Sequence, residues 1–495
     1  MAKKNKQVSV IGSGFSGLSA ASMLAKGGAT VDLFEKNDQI GGRARQFQAN
    51  GFTFDMGPSW YWMPDVIEKY FNKFNYTSSD FYDLKKLNPG FQIIFEDNQE
   101  VKIPANWDEM EELFESIEPG SAVKLNKFIK EAEFKYKVGV NDLVYQPGSS
   151  LTELMRPDLL SSLFKLQVFS SFSSHVRKFF KDPKLIALME FPVLFLGAKP
   201  EKTPALYSLM NYSGLKTGTF YPMGGFGKVI DAMKQIAEEQ GVNFHTSSNI
   251  TKINVNNKTA HSIDIKDQQF NFDAIVGAAD YNHIEQHLLD EAHRGYDSKY
   301  WEARTFAPSC LLFYLGVKEK LSNLEHHNLF FDEDLGEHAV EIYDTKVWPK
   351  KPLFYVSSPS VTDPSVAPEG KENVFVLMPI APGLKDSEEV REKYFEILLK
   401  RLSKQVGKDV NPLIEFKRSY CIKDFEQDYN AYKGNAYGLA NTLMQTANLK
   451  PKLKSKKVNN LFFAGQLTVP GPGVPPSLIS GQVAANEAMN YLNRK

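Results

Sequence analysis

Residues 7–45 constrain this 495-residue chain more than any other stretch. Gln7–Ile11 is a short β-branched run. Gly12, Gly14 and Gly17 follow in G-x-G-x-x-G spacing, and Leu18, Ala21, Met23 and Leu24 then recur at helical spacing. A second apolar run, Thr30–Phe34, ends on Glu35. Strand, glycine turn, helix, strand and acid, in that order, form the unit that holds a dinucleotide. Gly12 permits the tight turn, Gly14 lets the backbone approach a pyrophosphate, and Gly17 lets the helix lie close on its strand. The helix begins at Phe15 and Ser16, and its N-terminus offers free N–H groups and a positive dipole end to phosphate. Glu35 can accept hydrogen bonds from a ribose diol, and an acid there repels the extra phosphate of an NADP-type adenosine.

The next residues separate one cofactor from another. Gly41–Arg45 reads GGRAR. A second glycine pair and a fixed cation have no evident use in a plain nicotinamide domain. In a flavin dinucleotide site, Arg43 beside Gly42 can reach back to the same pyrophosphate with a planar fork. With Glu35 and Lys36 before it, Gly12–Arg45 resembles the amino-terminal signature of the glutathione-reductase-like flavoproteins, which include amine oxidases and carotenoid desaturases. The expected cofactor is FAD, with no need for NAD.

Other stretches extend the resemblance. Asp55-Met56-Gly57-Pro58-Ser59 resembles the D-x-G-P loop that lies beside the flavin ring in carotenoid desaturases, and Trp60, Tyr61 and Trp62 follow as either core or substrate wall. Tyr221–Ile253 reads as a glycine loop, a helix Lys228–Gln240 and a strand pair Val242–His245 and Ile250–Val255. In the flavoprotein pattern it rejoins the cofactor domain, with Ile250 at the adenine. Phe272–Ala279 is the next strand, before Asp280. Val458–Glu487 carries a buried strand at Leu461–Ala464, a turn at Gly465-Gln466, a rigid loop Gly471–Pro476 and a helix from Ser477. It resembles the closing G-x-x-x-x-P-G-x-G-x-P motif of bacterial carotenoid desaturases, with the loop around Val474 at the ring. Many flavoproteins carry an acid after the turn glycine; this chain has Gln466. The resemblance covers nearly the whole chain and is nearest to the bacterial-type phytoene desaturases.

The fold this implies is α/β. A glutathione-reductase-like FAD-binding Rossmann domain is intertwined with an α+β substrate domain, which contains a largely antiparallel sheet and a helical, membrane-facing part. The expected division is cofactor domain 1–75, 221–290 and 456–495, helical region 76–220, and sheet region 291–455. Hairpins are expected at Phe47–Phe54, around Asn50-Gly51, and at Phe91–Ile103, around Asp97-Asn98. Trp107–Tyr136 reads as helix broken at Glu118-Pro119-Gly120. Cys310–Val317, Pro352–Ser357, Asn373–Pro379 and Ile414–Ile422 read as one largely antiparallel sheet over the substrate. Glu325-His326-His327 reads as a surface loop and not a metal site.

Composition narrows the partners. A net charge of −1 gives no sign of a nucleic-acid partner. Two distant cysteines, Cys310 and Cys421, exclude a disulfide framework and a cysteine metal site, and suit a reducing cytoplasm. No metal is expected. Lys3, Lys4 and Lys6 do not open a signal peptide, because the apolar stretch after them is the glycine turn. Val458–Asn486 has no charge but is broken by Pro470, Pro472, Pro475 and Pro476, so a spanning helix is not expected. Leu159–Phe180 reads as an amphipathic helix, with Phe164, Val168, Phe172 and Val176 on one face and Lys165, Arg177 and Lys178 on another. Such a helix can lie in a membrane interface. The expected location is cytoplasmic, peripheral on the inner face of the membrane; oligomeric state is not legible.

The resemblance implies that the chain introduces C=C bonds into a long apolar polyene, with phytoene desaturation toward lycopene the leading reading. Later hydroxylated or γ-carotene-type substrates, and isomerase or saturase chemistry on the same fold, are alternatives. A flavin-free carrier is a third class, against which Glu35, Arg43 and Gly465 argue. An amine oxidase would need a compact aromatic cage and a polar approach, and neither is evident. No catalytic residue is assigned; Asp142, Arg177, Glu190 and His283 are the polar candidates.

Overall fold

The computed structural model describes residues 6–96, 99–148, 166–167, 170–442, 444–446 and 449–494. A five-stranded parallel sheet forms one centre. Its order is Leu461–Phe463, Ala274–Gly277, Gln7–Ile11, Thr30–Phe34 and Asn243–His245. The pairs are all parallel, with Val10 opposite both Val276 and Leu33. Strands covered on both faces read as continuous apolar runs, which is why AIVG and LFF look as they do. The helix Phe15–Lys26 lies on this sheet beside the carboxy-terminal helix Val474–Asn493. The two meet backbone to backbone: a Cβ on Gly481 would lie 2.2 Å from the Ser16 carbonyl, and Ser19 Oγ donates to Leu478 O at 2.9 Å.

The second centre is a seven-stranded sheet. Its order is Ile414–Tyr420, Ser309–Val317, Glu372–Ile380, Phe354–Ser357, His327–Phe331, Phe91–Phe95 and Glu100–Ile103. The four expected runs are there, mutually antiparallel. The hairpin expected at Phe91–Ile103 joins them through a parallel pairing of Phe91–Phe95 with His327–Phe331. Its turn residues 97–98 lie outside the described residues. Side chains alternate across the strands. Leu311 and Phe313 join a core under the helix Glu388–Val406, while Leu312 faces the other way.

Several expectations are corrected. Val242–His245 and Ile250–Val255 do not pair. Asn243–His245 is the edge of the parallel sheet, and Lys252–Asn256 begins a separate three-stranded antiparallel sheet. The carboxy-terminal helix starts at Val474, three residues before Ser477, because Pro475 and Pro476 fit its first turn. His326 and His327 are not surface residues. Both are buried, and His327 opens a strand. The stretch Leu159–Phe180 is not one helix: Ser171 caps a new short helix, Phe172–Val176, and Phe172 and Val176 are fully buried in the core. Phe164, Lys165 and Val168 lie outside the described residues. The two-residue turn Asn50-Gly51, with φ of 49° and 81°, closes the expected hairpin of Gln46–Ala49 and Phe52–Asp55.

Candidate active site

Open parallel sheets bind ligands at the carboxyl ends of their strands. A cavity of about 450 Å³ opens there and runs on to the seven-stranded sheet. Of the predicted site residues, Gly12, Gly14, Phe15, Ser16, Glu35, Lys36, Gly42, Arg43, Gly57, Pro58, Ser59, Ile250, Gly465, Gln466 and Val474 line it. Gly17 does not, and its role is packing. A Cβ on Gly17 would lie 1.9 Å from Gly12 O, whereas one on Gly14 would have no heavy atom nearer than 3.9 Å. Gly14 is thus the one position of the turn where the backbone is bare toward the cavity. No side chain caps the helix Phe15–Lys26, which leaves its first-turn N–H groups to a ligand.

Glu35 is buried at 5% exposure. One carboxylate oxygen accepts from Ser13 N at 3.1 Å and Ser13 Oγ at 2.6 Å. The other accepts from Asn37 N and Nδ2, both at 3.0 Å. Two of these donors are side chains that a ribose diol can replace. Ser248 N donates to Glu35 O at 2.8 Å, which brings Ser248, Asn249 and Ile250 to the same end of the cavity.

Arg43 lines the same cavity, next to Gly42, which packs on Gly14 of the glycine turn. Its Nη2 donates to Asn435 O at 3.2 Å, its guanidinium sits 4.9 Å from the Tyr429 ring centre, and its Nε is buried with no partner. Burial weakens its hold on its proton, opposed by Tyr429 and Asp280. Gly57 allows the next loop to close on Arg43, since a Cβ there would lie 2.5 Å from Arg43 O. Gln466 Nε2 donates to Asn435 Oδ1 at 3.2 Å, so the residue that replaces the usual acid is tied to the loop that also holds Arg43. At the carboxy-terminal helix, Pro475 and Pro476 have no N–H and Ser477 N donates to Gly473 O. The free backbone donor of that first turn is therefore Val474.

The far half of the cavity is apolar. Leu312, Leu377, Tyr355 and Leu329 are register neighbours across four strands and form one row of its wall. Trp60 and Trp62 line it too, while Tyr61 turns into the core and bonds Tyr82 at 2.8 Å between hydroxyls. Tyr355 is the polar member of the row. Sequence reading missed it, as it missed Asp280, Tyr429, Asn435 and His338. Asp280 alone carried a usable signal, its place at the carboxyl end of a parallel strand. Of the polar candidates, His283 lines the cavity and is held neutral by burial, its pKa lowered to about 4. Arg177 and Glu190 pair with each other away from it. Asp142 falls in the turn Gly139–Leu143, and its side chain lies outside the described residues.

A family model for flavin-containing amine oxidoreductases matches residues 15–489. A carotenoid 3,4-desaturase of Haloarcula japonica is 41% identical over 481 residues, 97% of each chain. A zeta-carotene-forming phytoene desaturase of Myxococcus xanthus is 30% identical over 99% of this chain and 95% of its own. The chain belongs to the carotenoid desaturases of the flavin-containing amine oxidoreductase family. Among solved structures, cyclohexylamine oxidase from Brevibacterium oxydans superposes with a TM-score of 0.58 at 16% identity, covering 99% of this chain and all of that one. A putrescine oxidase gives 0.64 at 13%, covering 99% of each. These likenesses concern the fold, a mixed α/β amine-oxidase type with a Rossmann-like sheet and a sheet-containing substrate domain.

FAD is the cofactor of this family, and the residues present fit it. The bare Gly14, the uncapped helix, the unpartnered Arg43 Nε and the buried acid Glu35 are what a flavin dinucleotide requires of a protein. Arg43→Ala removes a buried charged donor. It should weaken FAD retention by roughly 1.5–3 kcal/mol, or about 10- to 150-fold in Kd, read by equilibrium dialysis of the flavin. Unchanged retention would remove Arg43 from the cofactor site.

Proposed function

We propose that the chain is an FAD-dependent desaturase of an acyclic carotenoid, acting at a C–C single bond near one end of the polyene. The observation that carries this reading is the cavity itself: a dinucleotide cradle at one end runs without interruption into a wall of leucines and aromatic rings. FAD supplies a two-electron acceptor. The protein's part would be to hold the ring with residues Gly57–Ser59 and Val474, to hold an extended apolar chain along the Leu312–Leu329 row, and to exclude water from both. Such a wall binds through buried area, about 25 cal/mol per Å². The 41% identity to a carotenoid 3,4-desaturase, against 30% to a phytoene desaturase, favours a late carotenoid over phytoene. Phytoene desaturation toward lycopene is the second reading.

We further propose peripheral attachment to the inner face of the membrane, where such a substrate resides. Among the described residues no helix is long and apolar enough to cross a membrane. Exposed Met444 and Leu449 lie in sequence just before exposed Lys454, Lys456 and Lys457. One experiment addresses both proposals. Purified FAD-loaded protein is mixed with liposomes carrying phytoene, lycopene or a hydroxylated acyclic carotene, then sedimented and extracted. A red-shifted product from the lycopene-level or hydroxylated substrate, with none from phytoene, is expected. Product from phytoene alone would favour the second reading, and none from any would end the desaturase assignment. Protein left in the supernatant would end the attachment.

A further inference from the structure

We propose that a His327–Tyr355 chain holds the Ser59 hydroxyl as a hydrogen-bond donor toward the flavin ring, where it raises the ring's tendency to accept electrons. The proposal rests on the FAD assignment and goes beyond it, to residues that tune the cofactor.

Ser59 stands where the two halves of the cavity meet. Two residues before it, Gly57 is pressed against the Arg43 carbonyl; on its other side it bonds the row of the seven-stranded sheet. Tyr355 Oη lies 3.0 Å from Ser59 Oγ, and His327 Nδ1 lies 2.6 Å from Tyr355 Oη. The imidazole is fixed in plane: Trp60 stacks on it at 4.2 Å between ring centres and 10° between planes. His327 is wholly buried, which pushes its pKa well below the usual value and keeps it neutral.

The direction of the chain follows from one orphan. His327 Nε2 is buried with no partner. A buried N–H without an acceptor is rarer than a buried lone pair without a donor, so the ring proton belongs on Nδ1. Nδ1–H then donates to Tyr355 Oη, and the Ser357 hydroxyl is a second neighbour of that oxygen. With its lone pairs engaged, Tyr355 gives its proton to Ser59 Oγ. Ser59 has one proton of its own, and the residue lines the cofactor cavity; in the proposed chain that proton goes to the ring. The ring gains negative charge on reduction. A fixed donor in a water-poor wall favours that form over the oxidised one without reorganising. One such bond corresponds to about a fivefold shift in the ratio of reduced to oxidised flavin at a fixed poise.

The test is a redox titration of FAD-loaded Ser59→Ala, Ser59→Thr and Tyr355→Phe, with flavin content and visible spectrum measured alongside. At the poise where the wild type is half reduced, the reduced-to-oxidised ratio of Ser59→Ala should be about fivefold lower. Tyr355→Phe should fall between the two, because Ser59 is then free to turn, and Ser59→Thr should match the wild type. Equal shifts in the Ala and Thr variants would mark a packing role and overturn the proposal, as would a wild-type midpoint in Ser59→Ala. If Ser59→Ala does not retain FAD, Tyr355→Phe decides alone, and an unshifted midpoint there overturns it. A wild type that takes up no FAD would instead remove the cofactor assignment on which the proposal stands.

Discussion

Gly17→Ala should yield a chain that neither holds FAD nor melts near the wild-type temperature. The added methyl would sit 1.9 Å from the Gly12 carbonyl oxygen and 2.9 Å from its carbon. Both are backbone atoms of the turn that joins Gln7–Ile11 to the helix, so no side chain can swing aside. Overpacking of this kind costs about 1–3 kcal/mol where neighbours can shift and more where they cannot. Here the shift must pull the helix Phe15–Lys26 off the sheet, and Gly481 ties that helix to the carboxy-terminal one at equally close range. Gly14→Ala is the control. Its methyl meets only Gly42 Cα at 3.9 Å, so the FAD-free protein should melt as wild type does while FAD binding falls, because the methyl occupies ligand space. Melting curves with and without FAD read both variants. A Gly17→Ala protein that melts and binds as wild type would remove close packing as the reason for that glycine.

The same contrast marks what could be read before the structure. The glycine turn was legible because its constraints are local: three glycines and an acid within one βαβ unit fix where a pyrophosphate and a ribose can sit. Strand-like runs separated by turn signals likewise exposed four strands of the second sheet. The apolar row was not legible. Leu312, Leu377, Tyr355 and Leu329 come together only through the registers of four strands, set by pairing across long sequence separations. Adjacency in sequence misled at Glu325-His326-His327, where three polar residues suggested water. The structure instead buries His326 against Tyr221 and His327 against Trp60. Composition also misled at Phe172 and Val176. An aromatic stripe beside cations has the pattern of an interfacial helix, yet the same stripe serves equally to fill a core, and the core takes these two residues.

Buried histidines should make the protein lose stability on mild acidification, and His338 offers the cleanest measure of it. The ring lies beside the substrate wall at 3% exposure. Leu353 N donates to Nδ1 at 3.0 Å and Nε2 donates to Pro379 O at 3.1 Å, so both nitrogens are used by the neutral form. Burial lowers its pKa from 6.5 to about 4. His175 and His326 are lowered to about 3 by the same cause. The sign is that of a base whose folded pKa is depressed. Well above pH 6.5 neither state is protonated and the stability is fully present. As pH falls from 6.5 toward 4 the unfolded chain takes up a proton that the folded chain refuses, and stability is lost at up to 1.4 kcal/mol per pH unit for each such group. Asp55 and Glu285 act in the opposite sense, since burial raises them to about 6 and about 7, which softens the total. A comparison at one position cancels them. Gln at 338 can accept from Leu353 N and donate to Pro379 O without titrating. His338→Gln should therefore be somewhat less stable than wild type at pH 7.5. It should lose about 1.6 kcal/mol less between pH 6.5 and 5, measured as urea midpoints across that range. Parallel curves for the two proteins would mean that His338 takes up its proton in the folded state as readily as in the unfolded one.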